Sequence, residues 1–228
     1  MKGLFLFIAV FLAGTVVKCE EIFFPSKIGT VLVYKTFDKK DKVTSMVKYT
    51  ITKLNINGKD MDITYLCESF NPKDEPAFKE ELTIHKKGDK IYFDMSNFIN
   101  KAALEKSGAM PAEFKITGNN MEVPTNPSPG DLLPDAKIEM ALNMGFISMK
   151  MSAEVTNRKV EALEDITVKG GTYKCFKFSS VVNSSAMGIK TKSSNIDWYA
   201  KGIGIVRTES YDKNGKLLSY TELMEVKQ

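Results

Sequence analysis

Apolar and polar residues alternate with period two along most of this chain, and Gly, Asn and Asp break the alternation at short intervals. That is the pattern of antiparallel strands joined by tight turns. Val31-Leu32-Val33-Tyr34 predicts a first strand, which Phe37-Asp38-Lys39-Lys40-Asp41 turns back. Val43, Val47, Tyr49 and Ile51 share one face of a second. Asn57-Gly58 is a type I′ hairpin signal between Leu54-Asn55-Ile56 and Met61-Asp62-Ile63. Lys87-Gly88-Asp89-Lys90 joins Leu82-Thr83-Ile84 to Ile91-Tyr92-Phe93, and Gly118-Asn119-Asn120 separates Phe114-Lys115-Ile116 from Met121-Glu122-Val123. Asp212-Lys213-Asn214-Gly215-Lys216 turns the last pair. The whole reads as an antiparallel meander.

Three stretches depart from this rhythm. Residues 96–108 carry a cap residue, helix formers and a closing Gly108, which predicts one short α-helix packed on the sheet. The proline-rich loop 124–130 connects two parts of one sheet. In residues 138–155 the apolar positions run on even numbers through Phe146, then on odd ones from Met149. A β-bulge near Gly145-Phe146-Ile147 would produce that slip, and a bulged strand bends. The fold class expected is therefore mainly β, a strongly curved antiparallel sheet forming a roll or open barrel with one short helix. Ile28-Gly29-Thr30-Val31 to Phe37-Asp38-Lys39 is echoed by Ile203-Gly204-Ile205-Val206 to Tyr211-Asp212-Lys213. Repeat ancestry and convergent turn chemistry explain the echo equally well.

The start of the chain supplies an address. Met1-Lys2, an apolar run over residues 4–17 and Val17-Lys18-Cys19 form a cleavable export signal, residues 1–19. A single domain follows over residues 20–228, without a transmembrane anchor, in the periplasm or outside the cell. Lipidation at Cys19 is the competing reading, but it needs a small residue where Lys18 stands. Losing Lys2 and Lys18 lowers the formal charge from +4 to +2, with acidic and basic residues interleaved. Such a chain offers nucleic acid no basic face. Cys67 and Cys175 remain, and an even count in an exported protein points to a disulfide. Such a bridge would close a loop of roughly 108 residues and contribute about 4–5 kcal/mol. Two buried thiols are the alternative.

The residues that carry most chemistries are missing. His85 is the sole histidine and reads as an ordinary strand residue, and no nucleophile elbow, phosphate loop or Cys-x-x-Cys is present. Gly202-Ile203-Gly204 lacks the third glycine of a dinucleotide fingerprint, and Glu80-Glu81 would point to opposite faces of a strand. No catalytic, cofactor-binding or metal residue is assigned. Met140, Met144, Met149 and Met151 crowd one segment beside Phe146. Methionine fills irregular cores and also lines adaptable binding surfaces. Together with Trp198 these are the candidate ligand-lining residues, for a hydrophobic small molecule or lipid.

Glu164-Asp165-Ile166-Thr167-Val168-Lys169-Gly170-Gly171-Thr172-Tyr173-Lys174-Cys175 and Trp198-Tyr199-Ala200-Lys201-Gly202-Ile203-Gly204-Ile205-Val206 resemble the TapB-like family of uncharacterised exported bacterial proteins. Asn214-Gly215-Lys216-Leu217, Glu222-Leu223 and the opening Pro25 to Tyr34 extend the likeness. The resemblance implies an all-β exported protein of the Bacteroidota with a highly curved sheet, and it brings no catalytic residues. The function expected is a non-enzymatic envelope protein holding an apolar or amphiphilic ligand. A module that docks an envelope partner through a sheet edge or the proline-rich loop is the alternative. A hydrolase whose carboxylates meet only on folding is the third.

Overall fold

A computed structural model describes residues 22–94, 113–144, 147–186 and 188–228 of the 228-residue chain. The strands are β1 (Val31–Asp38), β2 (Val43–Asn57), β3 (Asp60–Phe70), β4 (Pro76–Lys87), β5 (Lys90–Phe93), β6 (Glu113–Gly118) and β7 (Met121–Pro124). They continue with β8 (Leu132–Leu133), β9 (Ala136–Met144), β10 (Ile147–Val168), β11 (Gly171–Ala186), β12 (Ile189–Ala200), β13 (Gly204–Asp212) and β14 (Leu217–Lys227). All fourteen join one antiparallel sheet in the order β6-β9-β10-β11-β12-β13-β14-β1-β2-β3-β4-β5-β7, with β8 beside β10. The helix expected over residues 96–108 lies outside the described residues.

The two ends of this sheet, β6 and β7, are joined by Asn119 and Asn120 alone. Laid flat, the path would span about 58 Å at about 4.8 Å per strand. Three peptide units from Gly118 to Met121 reach no more than about 11 Å. The sheet must therefore curl through nearly a full turn. Its ladder stays open, because β6 pairs with β9 and β7 with β5, not with each other. The Gly118-Asn119-Asn120 turn is thus a bridge across a seam and not one more step of a meander. Asn119 is tied to the β9 side: its Nδ2 donates to Asp135 O at 2.9 Å and its Oδ1 accepts from Lys137 N at 2.7 Å. A Cβ at Gly118 would lie 2.1 Å from Lys137 O, so only glycine fits there. Bulges in the pairings of β2 with β3, β10 with β11 and β12 with β13 help the strands bend.

The turns explain two differences from the sequence pattern. Met144 pairs with Ile147, so β10 turns back directly along β9, the two residues between them lying outside those described. Opposing residues three apart switch odd and even numbering while staying on one face, so the phase slip at residues 145–147 marks a hairpin and not a bulge. Asn57 pairs with Asp60, which makes Gly58-Lys59 the loop of the second hairpin. Gly58 has φ +61° and Lys59 is not among the positive-φ residues, the signature of type II′ instead of I′. As for the echo, Asp38 Oδ1 accepts from Lys40 N and Lys42 N, and Asp212 Oδ1 accepts from Asn214 N and Lys216 N. Asn71 makes the same two bonds, to Lys73 N and Glu75 N, outside the echoed segments. The two echoed turns thus share their bonding with a third that lies outside the echo.

One end of the roll is filled. Ile51, Ile63, Ile84, Ile91, Val123, Val160, Phe178 and Tyr199 converge there from strands on opposite sides of the sheet, which defines the interior face. Phe23, 1% exposed, sits among them with its ring edge-on to Phe176, Phe178 and Tyr199 at centroid distances of 5.7, 6.2 and 5.9 Å. Gly202 N holds the preceding residue in place by donating to Ile22 O at 2.6 Å. A second cluster gathers Leu32, Tyr34, Val168, Cys175, Trp198, Ala200, Val206 and Leu223. Of the two states open to the cysteines, the structure has free thiols: Cys67 and Cys175 are both buried and unbridged. Burial pushes Cys67 up to about 11 and Cys175 up to about 12, so neither is thiolate at neutral pH.

Candidate functional site on the interior face

Directly opposed residues of an antiparallel ladder share a face, so the interior can be followed from Phe178 across the sheet. Phe178 faces Asp197, Asp197 faces Thr208, Thr208 faces Thr221, and Thr221 faces Thr36. Two residues further along the strands, Ser180, Asn195, Ser210 and Ser219 form a parallel row. On the other side of the same face, Ala136, Val155 and Val182 form one row, Ile138 and Ala153 another, and Met140 faces Met151 in a third. The face is therefore divided. Strands β12–β14 and β1 supply hydroxyls, an amide and the Asp197 carboxyl, strands β9 and β10 supply the apolar side chains, and β11 contributes to both, with Ser180 and Ser184 alternating with Phe178 and Val182. Most of these residues are half-buried, with Ala136, Ile138 and Met140 fully so.

The charged centre of this face lies at the boundary with the packed core. Asp197 keeps some surface as a residue, but its carboxyl is enclosed beside Phe178 and Tyr199. Burial pushes its pKa up to about 6, against the opposing pull of the Thr208 hydroxyl, which donates at 2.7 Å, and of the Arg158 charge. Arg158 is 5% exposed, and its guanidinium donates to Pro134 O at 2.6 Å and Glu122 O at 2.8 Å. These two bonds tie β7 to the link between β8 and β9, straddling the open seam. Burial lowers the Arg158 pKa below its ordinary value, while nearby Tyr199 and carboxylates oppose that shift.

A carboxyl whose folded pKa lies above its ordinary value of 3.8 holds its proton in the folded state after the unfolded chain has lost it. Stability contributed this way falls as pH rises from about 4 to about 6–7, by an amount on the order of 2–3 kcal/mol. Asp197→Asn should flatten that part of the profile. Denaturation midpoints measured between pH 4 and 7.5 check this; parallel profiles for the two chains would contradict it.

The six lining candidates separate. Met140 and Met151 oppose each other on the interior face, and the ladder continues through Leu142 with Met149 and Met144 with Ile147. Phe146 lies outside the described residues, as do the side chains of Met144 and Met149. Trp198 is placed elsewhere: it packs in the second cluster, donates from Nε1 to Glu164 Oε1 at 2.7 Å, and lies under the Lys177 ammonium. An open depression of about 400 Å³ touches Met140 and Met151, but Glu139, Lys150, Ser152 and Ser185 line it. Register sets those four on the opposite, outer face, so this is not the apolar cavity expected of the methionines.

Other candidates for chemistry prove to be engaged. Glu209 and Glu222 are clamped together by Arg207. His85 Nδ1 bonds its cross-strand neighbour Asp62 at 2.6 Å. The proline-rich loop is packed down: Thr125 N donates to Asp89 O, Gly130 N to Val160 O, and Lys201 Nζ reaches Asn126 Oδ1. Asp197, Arg158 and Asn195 escaped the sequence reading. The available signal was Ser193-Ser194-Asn195-Ile196-Asp197, where a strand running into Trp198-Tyr199-Ala200 loses its apolar phase.

No curated protein matches this chain. Among solved structures, one described as an exported protein with a YmcC-like fold from Bacteroides fragilis is similar at a TM-score of 0.74 and 19% identity. The match covers 91% of this chain and 100% of that one. A protein described as a lipoprotein from Parabacteroides distasonis is similar at a TM-score of 0.74 and 23% identity, covering 91% and 99%. At these identities the likeness shows the fold alone. The DUF3108-like family matches residues 27–223, from just before β1 into β14, and the chain belongs to that family.

Proposed function

We propose that this protein is an exported, non-enzymatic envelope protein that holds an amphiphilic ligand against the interior face of its roll. The observation that carries this reading is the division of that face, with Val155, Val182, Ala153 and Met151 on one side and Asn195, Ser210, Thr208 and Thr221 on the other. A surface of that kind matches a molecule with an apolar tail and a hydrogen-bonding head. The Phe23 end is solid, so the ligand would enter from the half where the lining is only half-buried. The signal-like pattern of residues 1–19 supports export, as do the descriptions of the two fold relatives and the resemblance to the TapB-like group.

Gentle purification followed by native mass spectrometry should show a co-purifying lipid-sized mass, and the chain should bind a fluorescent fatty acid that amphiphiles displace. Ala153→Arg, which sets a charge among the apolar rows, should weaken the probe at least about tenfold. Neither a bound mass nor probe binding would defeat the proposal.

A further inference from the structure

We infer that the hydroxyl side of the interior face is a headgroup subsite for an uncharged, polyhydroxyl amphiphile, centred on Asn195. This inference rests on the carrier reading above and specifies the ligand's chemistry. Asn195 Oδ1 is enclosed and has no hydrogen-bond partner, an arrangement that folded proteins avoid unless a ligand or water supplies the missing donor. Its cross-strand neighbours on the same face are Ser180 and Ser210, with Ser219 next to Ser210. Hydroxyls donate and accept, and a carboxamide does both through its two ends. The row therefore suits a head whose groups also do both, as a sugar or glycerol does.

Charge points the same way. The full charges facing this row from the adjoining one are Asp197 and Arg158, which are opposite in sign and already engaged by Thr208 and by two backbone carbonyls. The row continues from Ser219 to Asp38, and Asp212 opposes Ser193 on the same face; both carboxylates accept backbone N–H groups of their own turns. Among the described residues, an anionic head would meet no cation on this row, and the carboxylates a cationic head would meet already accept hydrogen bonds within the protein. The apolar rows beginning at Val182 and Val155 lie beside the polar ones, so tail and head could be held at once.

The test uses the full mature chain and three twelve-carbon amphiphiles below their micelle concentrations: dodecyl glucoside, dodecyl phosphate and dodecyltrimethylammonium. Titration calorimetry should give the glucoside at least about tenfold tighter binding, the worth of one or two well-made hydrogen bonds. Asn195→Leu should remove that preference, and the milder Ser210→Ala should reduce it if the first variant folds poorly. Equal affinity for the three heads would overturn the headgroup inference and leave the carrier reading standing. So would a glucoside preference that survives both variants. Failure of all three to bind would overturn both.

Discussion

Phe23→Ala is expected to lower the unfolding free energy by about 3–5 kcal/mol, the usual cost of emptying a buried phenylalanine site. The reason is local. Phe23 belongs to no strand, yet its ring is enclosed by residues from both sides of the roll and meets three aromatic edges. Each such pair adds about 0.5–1.5 kcal/mol beyond the area buried. No neighbour can collapse into the space, because Phe176, Phe178 and Tyr199 are fixed to the β11–β12 ladder. Phe23→Leu should recover only part of the loss, because leucine restores much of the buried apolar volume but none of the three ring-edge contacts. Urea denaturation measures both, as a fall in midpoint at constant slope. A change below about 1 kcal/mol in the alanine variant would mean that the segment does not plug the interior in solution.

Arg158→Ala should cost about 3–5 kcal/mol, and the damage should be concentrated at the seam. The guanidinium satisfies the carbonyls of Glu122 and Pro134 together, on chain segments that no strand pairing joins. Removing it strands two acceptors and withdraws the cation that offsets Asp197. Arg158→Lys should rescue little, because a single ammonium on a flexible stem does not reproduce a fork that reaches two carbonyls. Amide hydrogen exchange should show lost protection in β6, β7 and residues 132–144 while β1–β3 stay protected. Uniform loss, or none, would remove Arg158 from the role of latch.

Much of this fold was legible in the chain. Period-two patterning located the long strands, and Asn57-Gly58 and Gly88-Asp89 marked hairpins that the structure contains. What the pattern could not carry was partner choice. Gly118-Asn119-Asn120 looks like any hairpin turn locally, and only the pairing of β6 with distant β9 and β7 with β5 makes it a seam. The even-to-odd slip at residues 145–147 was a true signal with two geometric causes, bulge and hairpin, which one sequence does not separate. The divided interior was harder still. Thr36, Thr208 and Thr221 are unremarkable strand residues until registers spanning 185 positions align them. Trp198 misled for a related reason: adjacent strand residues point to opposite faces, and it was Tyr199 that faced the interior.

The claim on which the rest depends is that the interior beyond the Phe23 plug is open enough to take a ligand. The most direct measurement is maleimide labelling of Val182→Cys in the folded chain at pH 7. Val182 lies on the interior face between Val155 and Ser193, whereas the native thiols Cys67 and Cys175 are buried and protonated. The account predicts rapid labelling at position 182 alone, slowed when dodecyl glucoside is bound. Resistance at position 182 comparable to that of the native cysteines would show an interior packed throughout, and would contradict it.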